Sequence, residues 1–176
     1  MATVLAPVRP RDAATVRHPG QNGAMAWTDL LAERKAWKSS GKAVVFTNGC
    51  FDLLHPGHVA LFEAARALGD VLVVGLNSDR SVRALKGEGR PLIPEDERAE
   101  TLEALEAVDR VVIYDEDTPR EIIAALVPDV LVKGADWAAD AIVGREEVEA
   151  AGGRVVRVEL LPGRSTTAMV ARIRKP

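Results

Sequence analysis

Cysteine is almost absent. Cys50 is the single one in 176 residues, so no intramolecular disulfide forms and a reducing cytoplasm is the expected compartment. A basic excess is missing as well. Lys and Arg number 23 against 26 Asp and Glu, a formal net charge of -3. Nucleic-acid binding, which normally shows a basic patch, draws no support from this balance. No apolar run reaches about 18 residues, so no membrane span is expected. The N-terminus lacks the continuous apolar segment of a secretory signal. No glycine-rich loop ends in Lys-Ser or Lys-Thr, which disfavours P-loop kinase chemistry. No carboxylate pair is arranged for glycoside hydrolysis, no cluster demands an all-protein metal site, and no internal repeat occurs.

What remains is a chain with 47% hydrophobic residues, enough for one sizeable core. Residues 1–24 carry Pro7, Pro10, Pro19, Gly20 and Gly23 without a period and read as a flexible arm. Residues 25–176 read as one domain in which helices and strands alternate. A helix over 27–40 sets Trp27, Leu30, Leu31 and Trp37 on one side, covering the core or a dimer contact. Strands are expected over 42–47, 70–76, 110–114, 129–132 and 154–158. Helices are expected over 57–68, 79–85, 94–107, 119–126 (capped by Thr118), 144–151 and after Ser165-Thr166-Thr167. The alternation predicts a Rossmann-like α/β fold, a doubly wound parallel sheet of about five strands with right-handed crossovers.

The chain is organised around residues 47–58, Thr-Asn-Gly-Cys-Phe-Asp-Leu-Leu-His-Pro-Gly-His. An apolar strand pattern enters this stretch and an apolar helical pattern leaves it. A strand, a tight loop and a helix N-terminus therefore meet, offering backbone N–H groups and a positive dipole end to an anion. Gly57 lets the backbone approach a ligand, and His55 and His58 converge on one phosphate. Donors fixed at a phosphate stabilise the charge that develops in phosphoryl or nucleotidyl transfer. Cys50 sits in this loop, but the histidines have a better use than activating a thiol. Three other places fall at expected strand carboxyl ends, where ligands bind in such sheets. Asn77-Ser78-Asp79 suits either a helix cap or a ligand contact. Lys133-Gly134-Ala135-Asp136-Trp137 follows the fourth strand. Ser165, Thr166 and Thr167 offer hydroxyls for a second phosphate cradle. The loop Lys86-Gly87-Glu88-Gly89-Arg90-Pro91 pairs a point charge with a planar fork and reads as a mobile phosphate clamp. Positive charge and backbone donors without a protein nucleophile suit in-line attack by an anionic substrate on the α-phosphate of a nucleoside triphosphate.

The string Gly-x-Phe-Asp-x-x-His-x-Gly-His, directly after a strand, resembles the signature of the HIGH-motif nucleotidyltransferase superfamily, cytidylyltransferase-like branch. The later strings resemble the branch that makes ADP-heptose from heptose 1-phosphate: Asn77-Ser78-Asp79, Leu85-Lys86-Gly87 with Arg90-Pro91, 104–109 (Ala-Leu-Glu-Ala-Val-Asp), Glu116-Asp117-Thr118-Pro119, Val132-Lys133-Gly134 and Ser165-Thr166-Thr167. The resemblance runs from about Trp27 to Ile173. It implies AMP transfer from ATP, with Mg²⁺ carried on the ATP, to heptose 1-phosphate, giving ADP-heptose and pyrophosphate. By that resemblance His55, His58 and Lys86 are catalytic, the histidines at the α-phosphate and Lys86 bridging the two substrates. Cys50 and Phe51 give backbone contacts to the nucleotide, with Asn48, Gly49, Gly57, Asn77, Asp79, Lys133 and Gly134 around it. Arg98, Ser165, Thr166 and Thr167 hold the outer phosphates, and Asp136 and Trp137 lie near the ribose and base. Asp52 and Arg90 join Lys86 at the acceptor. No nucleic acid or membrane partner is implied, and a homodimer is expected.

Two departures stand out. Leu161-Pro162-Gly163-Arg164 replaces the Arg-Thr-Glu-Gly-Ile of the glycerol 3-phosphate cytidylyltransferase branch, the alternative reading. Gly134-Ala135-Asp136-Trp137 replaces the usual Gly-Gly-Asp-Tyr of the heptose branch. The sugar-kinase half fused in many relatives does not occur in these residues, so a separate kinase is expected to supply the phosphosugar. A non-catalytic nucleotide-binding module would show damaged catalytic positions, yet His55, His58 and Lys86 are all present.

Overall fold

The computed structural model describes residues 24–173 apart from 136, 160, 162, 164 and 165. All of the expected arm but Ala24 therefore lies outside the described residues, as do Asp136 and Ser165. In chain order the elements are α1 (Trp27–Ser39), β1 (Val44–Gly49), α2 (Pro56–Arg66), β2 (Val71–Asn77), α3 (Asp79–Lys86), α4 (Glu95–Glu103), β3 (Arg110–Tyr114), α5 (Arg120–Leu126), β4 (Val130–Gly134), α6 (Arg145–Ala150), β5 (Arg154–Val158) and α7 (Thr166–Ile173). A 3₁₀ turn, Ala139–Ala141, bridges β4 and α6. The strands form one parallel sheet in the order β3-β2-β1-β4-β5. This is the expected doubly wound sheet. The order reverses between β1 and β4, which places the crevice for a ligand beside their carboxyl ends.

Two apolar layers sandwich the sheet. On one face Leu61, Phe62 and Ala65 of α2 and Ala99 and Leu102 of α4 pack on Val45, Leu72, Val74 and Val132. On the other, Leu30 of α1, Ile122 and Ile123 of α5 and Val148 of α6 pack on Val44, Phe46, Val73 and Leu131. Burial on both faces explains why β2 and β4 are continuous apolar runs rather than alternating ones. Each fully buried large apolar side chain contributes about 1.5–3 kcal/mol. Gly75 in β2 makes room for the Phe46 ring: a Cβ there would sit 2.5 Å from Phe46 Cζ and force it to shift.

Carboxylates close the amino edge. Asp70, Asp109 and Asp129 accept the N–H groups of Ala43, Leu72 and Val44 at 2.9, 2.8 and 2.7 Å. Arg66 pairs with Asp109 at 3.0 Å, both side chains more than nine-tenths buried. Arg34 of α1 pairs with Asp129 and donates to the Leu126 and Val127 carbonyls, closing the end of α5. The outer edge of β3 is strapped. The Met25 N–H donates to Val111 O and the Trp27 indole N–H to Ile113 O, both at 2.9 Å. Trp27 and Trp37 pack on the chain's own core.

Two local readings need correction. α4 stops at Glu103 rather than running to 107, because the chain turns through i→i+3 bonds at Leu105 and Val108. Those turns deliver Asp109 to the β2 amide. Pro119, not Thr118, occupies the N-cap of α5, and no side chain caps it.

Candidate active site

Alternation along the strands builds the floor of the site. Val44, Phe46, Val71, Val73, Val112, Tyr114 and Leu131 face the α1/α5/α6 layer. Continuing the period of two puts Asn48, Asn77 and Lys133 on that same side. Read across the sheet, the carboxyl edge then carries Tyr114, Asn77, Asn48 and Lys133 in strand order, a polar row continuing an apolar face. Lys133 Nζ donates to Asn48 Oδ1, and Asn48 Nδ2 donates to the Tyr114 hydroxyl at 3.0 Å. The ammonium also lies 5.6 Å from the centroid of the half-exposed Trp137 ring. Burial pushes the Tyr114 phenol up to about 12, against the opposing Asn48 and Asn77 amides. Asn77 is held in turn, donating to Ser81 Oγ at 3.1 Å.

Above this floor runs the β1–α2 loop. Phe51 adopts φ +42, a left-handed conformation that costs a non-glycine residue energy and that clusters at functional sites. Its ring turns back under the loop, edge-on to His58 at 5.3 Å and against Phe62 at 4.9 Å. Gly49 accommodates that ring, which would lie 3.0 Å from a Cβ there. His55 is the N-cap of α2 and Pro56 its first residue, a position that needs no N–H. The imidazoles of His55 and His58 stack with centroids 3.7 Å apart and planes 17° apart. Burial, then the neighbouring His55, lowers the His58 pKa from 6.5 to about 4. His58 is therefore a neutral imidazole near pH 7. Its buried Nδ1 has no hydrogen-bond partner among the described residues. Burial raises the Cys50 thiol, which makes it a poor nucleophile.

The loops around this centre are anchored from below. Asp52 is 3% exposed and accepts from the N–H groups of Leu92 and Ile93 and from Arg90 Nε at 2.6 Å. Arg98 corrects an expectation. Its side chain is fully buried, and it donates to Ile93 O, Cys50 O, Asn77 O and Asp79 Oδ1 at 2.6–3.0 Å. A guanidinium so engaged lies under the site and ties the β1 and β2 loops together, rather than holding outer phosphates. Asp79 is its partner.

These elements enclose a cavity of about 700 Å³, a size suited to small-molecule ligands. It brings together His55, His58 and Lys86. Asn48, Gly49, Cys50, Phe51, Gly57 and Asn77 join them. So do Asp52, Arg90, Lys133, Trp137 and Thr166. Lys86 is exposed at the last residue of α3. Thr166 Oγ donates to Leu53 O at 3.3 Å, tying α7 to the histidine loop. Asp79, Arg98 and Gly134 do not line the cavity. Asp136, Ser165 and the Thr167 side chain lie outside the described residues. Sequence reading missed Tyr114, Asp117, Thr118, Pro119, Leu85 and Val143, all of which line it. Strand parity was the available signal for Tyr114. Among the described residues no group of three or more His, Cys, Asp or Glu could hold a metal ion. None of their helices is long and apolar enough to cross a membrane.

Comparison with known proteins agrees with this geometry. Residues 46–169 match a family model described as cytidylyltransferase-like. The Bifunctional protein HldE of Pelobacter propionicus is 52% identical over 97% of this chain and 35% of its own length. That of Acidiphilium cryptum is 61% identical over 81% of this chain and 29% of its own. The chain thus spans about a third of the length of the curated relatives it matches. Among solved structures, the lipopolysaccharide core biosynthesis protein from Thermoplasma volcanium superposes with a TM-score of 0.59 at 27% identity, over 69% of this chain and 99% of that one.

Proposed function

The chain belongs to the cytidylyltransferase-like family, and from that premise we propose that it transfers AMP from ATP to heptose 1-phosphate, in the cytoplasm. The observation that carries the reading is the stacked His55–His58 pair at the N-terminus of α2, facing one cavity with Lys86 and the polar row of strand ends. An oxygen of the acceptor phosphate attacks the α-phosphorus. The bond from that phosphorus to the bridging oxygen breaks, and pyrophosphate leaves with the electron pair. No protein nucleophile is needed. His58, neutral before the nucleotide arrives, donates a hydrogen bond to a non-bridging α-oxygen, and the anion draws its pKa back up. Lys86, exposed at the end of α3, neutralises charge between the two phosphates. Mg²⁺ enters as part of the substrate MgATP and keeps several waters.

Heptose as the acceptor rests on the strings around Lys86, Asp117 and Lys133 and on the similarity to HldE proteins. The cytidylyl alternative with glycerol 3-phosphate is not favoured by these relatives. The homodimer belongs to the same proposal; Trp27 and Trp37 of α1, both partly buried, pack on the chain's own core. Pyrophosphate release tests the proposal, crossing four nucleoside triphosphates with heptose 1-phosphate anomers and glycerol 3-phosphate. Turnover with ATP and a heptose 1-phosphate is expected. Turnover confined to CTP or to glycerol 3-phosphate overturns it.

A further inference from the structure

The loop after β3, residues 115–119, borders the cavity and takes no part in the mechanism above. It divides into an anchor and a presenting part. Asp115 is the anchor. Ser78 Oγ donates to its Oδ1, Arg80 Nε donates to Oδ2 at 2.8 Å, and the same guanidinium holds the Asp115 carbonyl. Asp117 and Thr118 are the presenting part. Both line the cavity, and the Asp117 side chain is 79% exposed with a longer Arg80 contact at 3.4 Å. Buried Pro119 fixes the chain behind them.

Chemistry separates this wall from the rest of the cavity. A carboxylate beside a triphosphate adds like-charge repulsion, so this wall disfavours the nucleotide's phosphates. The same carboxylate suits neutral hydroxyls, because its lone pairs accept two O–H donors at once. The groups suited to a nucleotide, Lys133 and the Trp137 ring, lie on and just after β4, with β1 and β2 between that strand and β3.

We propose that Asp117 and Thr118 form a subsite that reads the hydroxyls of the acceptor sugar, with Arg80 as its positioning residue. The proposal rests on the sugar-phosphate reading above. The acceptor phosphate lies by His55, His58 and Lys86, and its sugar extends along the β3 wall. A phosphate lacking those hydroxyls leaves Asp117 without its partners, which is how such a site rejects it.

Steady-state kinetics of Asp117→Asn and Thr118→Val with MgATP and heptose 1-phosphate test this. The KM for heptose 1-phosphate rises about tenfold in Asp117→Asn, the scale of a lost hydrogen bond to a charged group. It rises less in Thr118→Val, while the KM for ATP and the melting temperature stay constant. Arg80→Leu moves the sugar KM in the same direction. An equal rise in the ATP KM, or no change in either, overturns the subsite. Calorimetric titration of heptose 1-phosphate into the parent and into Asp117→Asn reads it without turnover: about tenfold weaker binding to the variant supports it, and equal binding overturns it. A parent that neither binds nor turns over heptose 1-phosphate brings down the sugar-phosphate reading and the subsite together.

Discussion

The two edges of the sheet are built with opposite chemistry. At the amino edge, Asp70, Asp109 and Asp129 receive backbone N–H groups, and Arg66 and Arg34 close the ion pairs around two of them. At the carboxyl edge, the polar row of Tyr114, Asn77, Asn48 and Lys133 forms the floor of a cavity with two imidazoles and a lysine on its walls. A parallel sheet makes this division available because every strand points the same way. One edge is sealed for stability while the other is kept for a ligand.

Substitutions at the two edges should therefore separate folding from turnover. The largest effect is expected at the sealed edge. Asp109→Ala leaves Arg66 buried without its partner and the Leu72 amide unsatisfied, and should cost about 4 kcal/mol. The urea midpoint measures this, and turnover per folded molecule should stay near that of the parent. A collapse of turnover in the folded fraction would erase the contrast. Next comes His58→Ala at the open edge. Turnover should fall at least about a hundredfold, near 2.7 kcal/mol of barrier, with the melting temperature little changed. Near-normal turnover would remove His58 from the chemistry. The smallest effect concerns pH. The unfolded chain binds a proton on His58 below 6.5, whereas the folded chain does so only near 4. The stability linked to this group is thus fully present above 6.5 and is lost as the pH falls toward 4. His58→Gln should lose less stability over that window than the parent, as melting temperature against pH would show. Parallel curves would mean that the imidazole titrates normally.

Local pattern made much of this legible. β3 and β5 have the bounds that their β-branched pattern implied, Arg110–Tyr114 and Arg154–Val158. The histidine loop was legible since its residues lie close in sequence. What stayed hidden depends on pairs distant in the chain. Asn48 meets Lys133 across 85 positions and Tyr114 across 66, and nothing local announces either contact. Tyr114 ends a strand and reads as a core aromatic until its neighbours across the sheet are known. Arg98 sits one turn into a charged helix and by resemblance reads as a ligand of the outer phosphates, yet its four acceptors are Ile93 O, Cys50 O, Asn77 O and Asp79 Oδ1. The string at 116–119 carried the resemblance but no site role, because Asp115 and Asp117 look alike in sequence and differ in how Ser78 and Arg80 hold them.

The strap along β3 has a consequence for how copies of this chain behave toward one another. The Val111 and Ile113 carbonyls would otherwise offer half of a ladder to any extended segment that came by. With the Met25 amide and the Trp27 indole on them, that template is taken by the chain itself. Loosening two hydrogen bonds at 25–27, neither of them made by a residue that lines the cavity, would open a path to edge-to-edge polymerisation.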